Sequence, residues 1–462
     1  MSAGNLFVAM LPEHLLLAGI LLLIGVEVLA REARSMVAPA VAVVAAAAAA
    51  ACWLAVNGWS GAPFEAQFTV DAAISSAKAV ALALSVPVLL MSRDDFARDH
   101  RCQVLLLASL YGFCFMVSAQ SFLTLFLGIE MMSLPVYVLV LLGMRRPESA
   151  EAALKYLVLS GAASATLLMG VTLIYGAGGS LALSAFTAAL GSQQPMALAG
   201  VVLVLAAFFL KAALVPFHAW APDAYEGATV AVTAYMATVV KAGVMLAAAR
   251  LVAGAALGAD VAALLAVPSL VSIAWGNLAA MRQDGFRRMI AYSSIAHAGY
   301  LFFALLGDGP GRFQAVLFYV LAYGLMNTLA LACLPRDAED ANRDRLERLQ
   351  GLFQRQPFAA VMIALAMLSL AGIPPFPGFV AKFLVFRNVI AAGYTTYAVL
   401  GLVASYLGIY FYLRVIQLMF MSPQHAAPGQ QGPSAAALAA GVLCLVPVLL
   451  LTFFPGWVIG LL

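Results

Sequence analysis

Residues 208–228 read "FFLKAALVPFHAWAPDAYEGA" and place two ionisable side chains, Lys211 and His218, in an apolar run with Pro216 between them. A proline removes one backbone hydrogen bond and interrupts a helix. At membrane depth, such an interruption is tolerated where the freed backbone groups contact protein or line an aqueous cavity. The stretch therefore predicts a broken transmembrane helix whose ionisable side chains face the protein interior rather than lipid.

The composition of the whole chain also indicates a membrane protein. Hydrophobic residues make up 64% of the 462 residues and charged residues only 10%, whereas soluble proteins contain about 25% charged residues. Because a membrane-spanning helix needs about 20 mostly apolar residues, the apolar runs predict an all-α polytopic membrane protein with about fourteen helices. The predicted helix centres are Leu21, Ala45, Leu82, Ala108, Pro135, Ala163, Ala212, Val240, Ile273, Ala296, Leu321, Ala371, Tyr406 and Leu445.

A second broken helix is predicted in the other half of the chain. The stretch "GIPPFPGFVAKFLVF" (372–386) has three prolines and two glycines ahead of Lys382. Paired interruptions in the two halves of a chain indicate inverted repeats, so we predict two inverted five-helix repeats, helices 4–8 and helices 9–13. The predicted division is residues 1–100 for helices 1–3, 101–252 and 253–422 for the repeats, and 423–462 for a linker and the C-terminal helix.

Arginines are distributed unevenly between the predicted loops. Fifteen lie in loops after odd-numbered helices and three in loops after even-numbered helices. Positively charged loops face the cytoplasm, so we predict a multi-pass protein of the bacterial inner membrane with both termini on the periplasmic side. The net charge of +3 follows from these arginines and gives no reason to expect a nucleic-acid partner.

Six cationic side chains fall inside predicted helices. They are Lys78, Lys155, Lys211, Lys241, Lys382 and Arg414. A lysine at the centre of a lipid-facing helix costs about 2.5–3.5 kcal/mol, so the central lysines are predicted to face the bundle interior. Burial can lower the pKa of a lysine by several units, whereas an arginine stays charged. Buried lysines therefore indicate a proton relay, with Glu130 in "LFLGIEMMSLPVYVL" (125–139) as the carboxylate near the middle of a helix.

Simpler alternatives remain for these groups. Lys155 begins its helix, and its side chain can extend to the membrane surface. For Lys78, near the outer end of the third helix, this extension is our prediction. Glu27 and Arg414 lie near helix ends and are predicted to be structural or interfacial. The alternative for the central lysines is a buried ion pair without a role in transport.

Two histidines lie among these groups. His218 follows the proline of the first broken helix, and His297 lies mid-helix in "MIAYSSIAHAGYLFF". An imidazole with an ordinary pKa of about 6.5 suits proton exchange, although a single buried histidine is more often a hydrogen-bonded core residue. Ser293, Ser294 and Tyr300 are candidates to hold connecting waters.

Motifs for cofactors and metals are missing from the sequence. The five cysteines are scattered without a C-x-x-C pair, which argues against a zinc site or an iron–sulfur cluster. No G-x-G-x-x-G or Walker A sequence is present, so nucleotide binding has no support. We therefore predict no cofactor and no metal on this chain.

Five stretches between residues 100 and 420 together indicate a family: "GIEMMSLPVY", "ALKYLVLSG", "LKAALVPFHAWAPDAYEGA", "GNLAAMRQDGFRRMIAYSSIAHAGY" and "GIPPFPGFVAKF". The chain resembles the antiporter-like membrane subunits of bacterial respiratory complex I, the proton-pumping NADH:quinone oxidoreductase. These are related to Mrp-type cation/proton antiporters and to membrane-bound hydrogenase subunits. Within the group, Tyr225 after "APDA" and a lysine at Lys382 resemble the subunit N branch.

The resemblance implies a proton-translocating subunit with no redox chemistry of its own. FMN, iron–sulfur clusters, NADH and quinone are expected in partner subunits, and a neighbouring antiporter-like subunit and small membrane subunits as contacts. The site residues that it implies are the pair Glu130 and Lys211 and a polar axis with Lys155, His218, Lys241 and Lys382. A Mrp-type or hydrogenase-type antiporter subunit, or an inert membrane scaffold, is the alternative. The family usually has two prolines where this chain has Thr229 and Ala231, at the start of the eighth helix.

Overall fold

The computed structural model describes residues 3–29, 35–96, 101–144, 146–335, 345–422 and 432–461. The chain is almost entirely helical, and all fourteen predicted centres lie in helical segments. In chain order the helices are α1 (Ala3–Ala9), α2 (Leu11–Leu29), α3 (Val37–Val56), α4 (Ala72–Asp95), α5 (Arg101–Val117), α6 (Phe122–Met144), α7 (Pro147–Gly178), α8 (Ser184–Leu190), α9 (Pro195–Ala212), α10 (Trp220–Gly227), α11 (Val230–Tyr235), α12 (Lys241–Leu251), α13 (Ala259–Ala280), α14 (Phe286–Ala304), α15 (Pro310–Ala332), α16 (Leu352–Arg355), α17 (Pro357–Ala371), α18 (Pro377–Ala391), α19 (Thr395–Tyr406), α20 (Ile409–Met421), α21 (Ala435–Phe453) and α22 (Pro455–Leu461). A π-helical turn, Met236–Val240, joins α11 to α12, and a 3-10 turn, Leu346–Leu349, precedes α16.

Eleven helices in the described residues are long and apolar enough to cross a membrane. Together with α5, α14 and the interrupted α17–α18 segment, they give the described chain fourteen spans, as the sequence predicts. The first eight spans are α2 to α7, α9 with α10, and α11 with α12; the last six are α13, α14, α15, α17 with α18, α19 with α20, and α21. Part of the predicted linker, residues 423–431, lies outside the described residues.

The seventh and twelfth spans are broken where their prolines predict. In the first break, α9 ends at Ala212, Ala213 has φ 60°, and the Val215–Pro216 peptide is cis. In the second, α17 ends at Ala371, Gly372 has φ 83°, and the Pro374–Pro375 peptide is cis.

Side chains of neighbouring helical segments satisfy backbone N–H groups that the breaks set free. The N–H of Val215 donates to Ser272 Oγ at 2.9 Å. At the second break, the N–H of Gly378 donates to Ser369 Oγ at 3.0 Å. Because an unsatisfied backbone group inside a membrane costs several kcal/mol, these two serines stabilise the interrupted segments. The prediction that the freed groups contact protein is confirmed at these two positions.

The two five-helix units share a tight first helix pair. In the fourth and fifth spans, a Cβ at Gly112 would lie 2.3 Å from the backbone nitrogen of Met132. In the ninth and tenth spans, a Cβ at Gly276 would lie 2.7 Å from that of Ala296. Glycine is required at both positions because the backbones approach too closely for a side chain. Since each predicted unit contains five spans, the second begins on the opposite side of the membrane from the first; the division of the chain into two repeats stays a prediction.

A short antiparallel hairpin between the second and third spans was not predicted. Its strands are β1 (Gly61–Phe64) and β2 (Phe68–Val70). The N–H of Thr69 donates to the carbonyl of Ser118 at 2.9 Å, which fixes the hairpin to the end of α5. The hairpin therefore covers the bundle at the end where α4 begins and α5 finishes.

Candidate functional site

Glu130 and Lys211 form an ion pair at the first helix break. The ammonium Nζ of Lys211, in the last turn of α9, lies 3.1 Å from Glu130 Oε1 on α6. The lysine side chain is only 6% exposed and the glutamate 22%. Helix α9 ends at Ala212, one residue after Lys211, because Ala213 takes the left-handed conformation. The break thus brings the ammonium to the carboxylate, as the resemblance implies.

Hydroxyl groups on α7 and α6 complete this pair. Lys211 Nζ donates a second hydrogen bond to Ser160 Oγ at 2.7 Å, and Ser164 Oγ donates to Glu130 Oε1. Tyr137 in turn donates its hydroxyl hydrogen to Ser160 Oγ at 2.5 Å. The two serines, one turn apart on α7, therefore hold both charged groups in place. Neither serine nor Tyr137 was predicted from the sequence, because uncharged hydroxyl side chains occur at many positions of apolar helices and do not mark a site.

Lys241 occupies the eighth span and has no carboxylate partner in the described residues. Its ammonium donates to the backbone carbonyl of Ser294 at 2.5 Å and also to the Ser294 hydroxyl. The Ser294 Oγ lies 3.1 Å from the hydroxyl of Tyr225. A π-helical turn ends directly before Lys241, and such turns are frequent at functional sites. The tenth span thus provides the neutral acceptors for this lysine.

His297 lies at the centre of a buried polar cluster between the tenth, eleventh and thirteenth spans. Its Nδ1 is 2.8 Å from the Tyr319 hydroxyl, and its Nε2 is 3.1 Å from the Tyr412 hydroxyl. Tyr412 also contacts Ser293 Oγ at 2.5 Å. Both ring nitrogens of the imidazole therefore have a hydroxyl partner. A neutral imidazole donates through one nitrogen and accepts through the other, so this arrangement can pass a proton across the ring.

Lys382 lies just after the second helix break. Its ammonium donates to the carbonyl of Ala371 at 3.0 Å and sits 5.0 Å from the centre of the Tyr300 ring. The side chain is 9% exposed. His297 and Lys241 are buried as well. The structure thus buries these three groups in the eighth, tenth and twelfth spans, and their joint role as a proton relay stays a prediction.

Lys155 stands apart from the buried row. Its ammonium is 2.7 Å from both Asp223 Oδ2 and Glu151 Oε1, and its side chain is 44% exposed. Asp223 also accepts a hydrogen bond from Arg288 at 2.9 Å. This surface position matches the alternative in which Lys155 extends to the polar boundary. Its place in a polar axis stays a prediction, and the pairing with Asp223 could not be predicted because the residues belong to different spans.

His218 lies inside the first break and is half-buried. Its Nε2 accepts a hydrogen bond from the indole nitrogen of Trp275 at 3.0 Å. Its Nδ1 is buried. Because Nε2 accepts the indole hydrogen, the proton of a neutral His218 ring lies on Nδ1, and a role of this ring in proton exchange stays a prediction.

The sequence prediction for Lys78 is wrong. The side chain does not extend to the membrane surface; it is 0% exposed, and its Nζ lies 2.6 Å from Glu13 Oε1, which is 1% exposed. Glu13 was missed because it lies close to the start of the first apolar run. By contrast, Glu27 pairs with Arg101 and Arg414 pairs with Asp284 at exposed span ends, where they were predicted.

The start of the eighth span replaces the family prolines with hydrogen bonds. Thr229 is the N-cap residue of α11, and its Oγ1 accepts from the N–H of Val232 at 3.4 Å. The N–H of Ala231 donates to Asp95 Oδ2, at the end of α4, at 2.8 Å. A proline at position 231 has no N–H for this bond. Helix α11 therefore begins at Val230 without the prolines.

Comparison with known proteins identifies the family. Residues 119–408 match the transmembrane family described as "NADH:quinone oxidoreductase/Mrp antiporter, TM", and the chain belongs to this family. It is 38% identical over 464 aligned residues to "NADH-quinone oxidoreductase subunit N" of Pelobacter propionicus, which covers 99% of each chain. The prediction of an antiporter-like subunit that resembles the subunit N branch is thereby confirmed.

Two solved structures are similar along nearly the whole chain. One is a chain of respiratory complex I from Thermus thermophilus with bound aureothin, 32% identical with a TM-score of 0.83, which covers 97% of this chain and 98% of that chain. The other is a chain of the Mrp complex from a Dietzia species, with 23% identity, a TM-score of 0.84, and coverage of 98% and 96% respectively. The second likeness concerns the fold alone.

Proposed function

We propose that the chain is a proton-translocating membrane subunit of an NADH:quinone oxidoreductase. The observation that carries the proposal is the Glu130–Lys211 pair, held at a helix break between Ser160 and Ser164. The 38% identity to a subunit N supports the same function. NADH, FMN, iron–sulfur clusters and quinone belong, in this proposal, to partner subunits.

The pair works by changing the counter-charge of a buried lysine. With Glu130 in contact, the ammonium of Lys211 is stabilised; when the carboxylate moves away or is neutralised, the proton can leave. Moving one charge against 100 mV requires about 2.3 kcal/mol. A hydrogen bond to a charged group stabilises by about 1.5–3 kcal/mol. Making and breaking the contact between Lys211 and Glu130 thus has the right magnitude for one transported charge.

The buried row beyond the pair supplies places for the proton to reside. Lys241 is held by neutral acceptors on Ser294 of the tenth span, which also carries His297, and Lys382 is buried in the twelfth span. Lys211 and Val244, one turn beyond Lys241, line the same small cavity, whose other walls are apolar. Because apolar walls cannot carry a proton, transfer between the two lysines needs water to enter this cavity. Hydration of the cavity is then a second control point for transport.

Orientation and surroundings are part of the proposal. The arginine distribution supports cytoplasmic loops after odd-numbered spans, with both termini on the periplasmic side of a bacterial inner membrane. Likeness to a chain of respiratory complex I supports other membrane subunits of such a complex as partners. A neighbouring antiporter-like subunit and small membrane subunits are the expected contacts.

The proposal is tested by purifying the tagged chain in mild detergent from its native membrane. We expect flavin and iron–sulfur absorbance to co-purify with NADH:quinone reductase activity that is sensitive to rotenone or piericidin. Isolation with only small membrane partners, and cation/proton exchange without NADH, would instead support a Mrp-type antiporter. An untagged strain carried through the same procedure controls for adventitious complex.

A further inference from the structure

A second carboxylate–lysine pair lies in the first three spans, outside the family match of residues 119–408. Lys78 on α4 and Glu13 on α2 are 2.6 Å apart and are almost completely enclosed. Apart from this contact, their charged atoms have no hydrogen-bond partner in the described part of the chain. Lys78 is the seventh residue of α4, so the pair lies about 10 Å below the start of that helix. It is on the side of the membrane where α2 begins.

An aromatic cover separates this pair from the nearby surface. Phe68 of β2 is 1% exposed and its ring centre lies 5.1 Å from Lys78 Nζ. Phe68 belongs to a small hydrophobic cluster, distinct from the main core, formed by the end of α1 and the hairpin. Its ring also packs on Phe115 of α5 at 5.6 Å. The route from the pair to the outside therefore passes a cover built from separate, small elements.

Polar groups without partners lie between the pair and the nearby surface. Among the described residues, the buried hydroxyls of Ser75, one turn from Lys78, and Ser118 have no hydrogen-bond partner. On its other side, α4 packs against α11 and against the π-helical turn that precedes Lys241. The pair is thus near a helix that leads to Lys241.

A contribution to protein stability does not by itself explain why a lysine and a glutamate are buried together here. A buried ion pair is often no more stable than apolar residues of the same volume, because both charges lose their hydration. A structural pair can also use arginine, whose planar group forms stronger bidentate contacts with carboxylates. The chain has lysine here, as at Lys211, and lysine can release its proton.

We propose that Glu13 and Lys78 form a second protonable pair that exchanges a proton with the adjacent aqueous phase during turnover. A proton moves from Lys78 Nζ to Glu13 Oε1, which breaks one N–H bond, forms one O–H bond and leaves both groups neutral. Glu13 then releases the proton past the hairpin, and the pair is recharged by uptake from the bundle. The inference rests on the proton-translocating function proposed above and on the proposed orientation, which makes this phase periplasmic.

The test uses the complete complex, purified and reconstituted in proteoliposomes, with the variants Lys78→Arg, Glu13→Gln and Glu13→Gln/Lys78→Met. Arginine keeps the positive charge but does not release a proton. We expect Lys78→Arg to assemble and to oxidise NADH with an artificial acceptor at the normal rate, while most NADH-driven proton transport is lost. Redox-induced infrared difference spectra should contain a carboxylic-acid band that is missing in Glu13→Gln. Glu27→Gln is the matched control, because Glu27 is on the same helix but is 36% exposed.

Normal proton transport in Lys78→Arg, with an infrared spectrum unchanged by Glu13→Gln, would show that the pair is a static ion pair. Full transport in the neutral double variant overturns the inference equally. If Lys78→Arg fails to assemble, Glu13→Gln decides, because its amide retains the size and hydrogen-bonding capacity of the carboxylate. Proton transport by Lys211→Arg is measured in parallel. Full transport by Lys211→Arg would contradict the proposed function itself. Loss of transport in Lys211→Arg, with full transport in the Glu13 and Lys78 variants, would contradict only the role of Glu13 and Lys78.

Discussion

The two broken helices present their lysines to different partners. Lys211 meets the carboxylate of Glu130 at 3.1 Å and a serine hydroxyl. Lys382 meets the carbonyl of Ala371 at 3.0 Å and the face of the Tyr300 ring; no carboxylate is in salt-bridge distance of it within the described residues. Both spans are interrupted by prolines, but within the described residues only the first interruption places a carboxylate beside its lysine. The first repeat can switch its lysine by moving a counter-charge, whereas the second holds its lysine with neutral dipoles.

This difference has consequences for substitutions. Removing one member of a buried ion pair leaves an uncompensated charge and destabilises by about 3–5 kcal/mol. Removing a cation that is held by a carbonyl leaves one unsatisfied neutral acceptor, which costs about 1–3 kcal/mol. Variants of the first break should therefore affect both transport and assembly, and variants of the second mainly transport.

The largest effect is expected for Lys211. Lys211→Ala removes the proton carrier and leaves Glu130 without its cation, and loss of a proton-transfer group typically slows a reaction by about 100-fold or more. NADH-driven proton transport in proteoliposomes should fall close to background. Lys211→Arg separates the two roles, because it can restore the ion pair but not the proton release. An unchanged proton yield in Lys211→Ala would contradict the proposal that Lys211 carries the transported proton.

A smaller effect is expected for Glu130→Gln. The amide keeps the contacts with Lys211 and Ser164 but removes the negative charge. Loss of a charge-assisted hydrogen bond of about 1.5–3 kcal/mol corresponds to roughly 10- to 100-fold, so transport should fall by that factor, and assembly should be weakened less than in Lys211→Ala because the amide still fills the site. Glu130→Asp, which keeps the charge on a shorter side chain, should recover part of the rate. Equal transport in Glu130→Gln and the unaltered protein would mean that the counter-charge is not the switch.

Lys382→Met sharpens the comparison at the second break. The methionine fills the space of the lysine stem and leaves no charge behind, so the free energy of unfolding should fall by only about 1–3 kcal/mol, the cost of the unsatisfied Ala371 carbonyl. Proton transport should decrease, whereas the amount of assembled complex should not. Lys382→Met is compared with Lys211→Met on the same blots of assembled complex. Equal losses of assembly in the two variants would contradict the difference between the breaks.

The sequence is informative about this fold where a single span carries the signal. Apolar runs predict the fourteen spans, and the prolines near Lys211 and Lys382 predict both breaks, because each feature depends on neighbouring residues. Contacts between residues of different spans cannot be predicted from either span alone. Glu13 and Lys78 are 65 positions apart, and nothing in either helix alone states that they meet. Burial of both groups is a property of the packed bundle.

The same limit explains two features of the candidate site. The π-helical turn before Lys241 lies in "MATVV", a stretch without glycine or proline. Lys155 sits one turn after Glu151 and opposite Asp223, and the acidic partner from another span holds it at the surface. Position along a helix predicts depth in the membrane, but only the packed spans determine which polar group is within reach.

The smallest effect is expected at the start of the eighth span. Thr229→Ala removes the side-chain cap of α11, a loss of about 0.5–2 kcal/mol. Ala231→Pro removes the hydrogen bond to Asp95, although proline is otherwise compatible with the first turn of a helix. Both variants should lower the thermal midpoint slightly and leave the proton yield per NADH unchanged, because Lys241 lies about three turns further along. A fall in proton yield without a fall in stability would instead mean that the helix start takes part in transport, and that these hydrogen bonds set the position of Lys241.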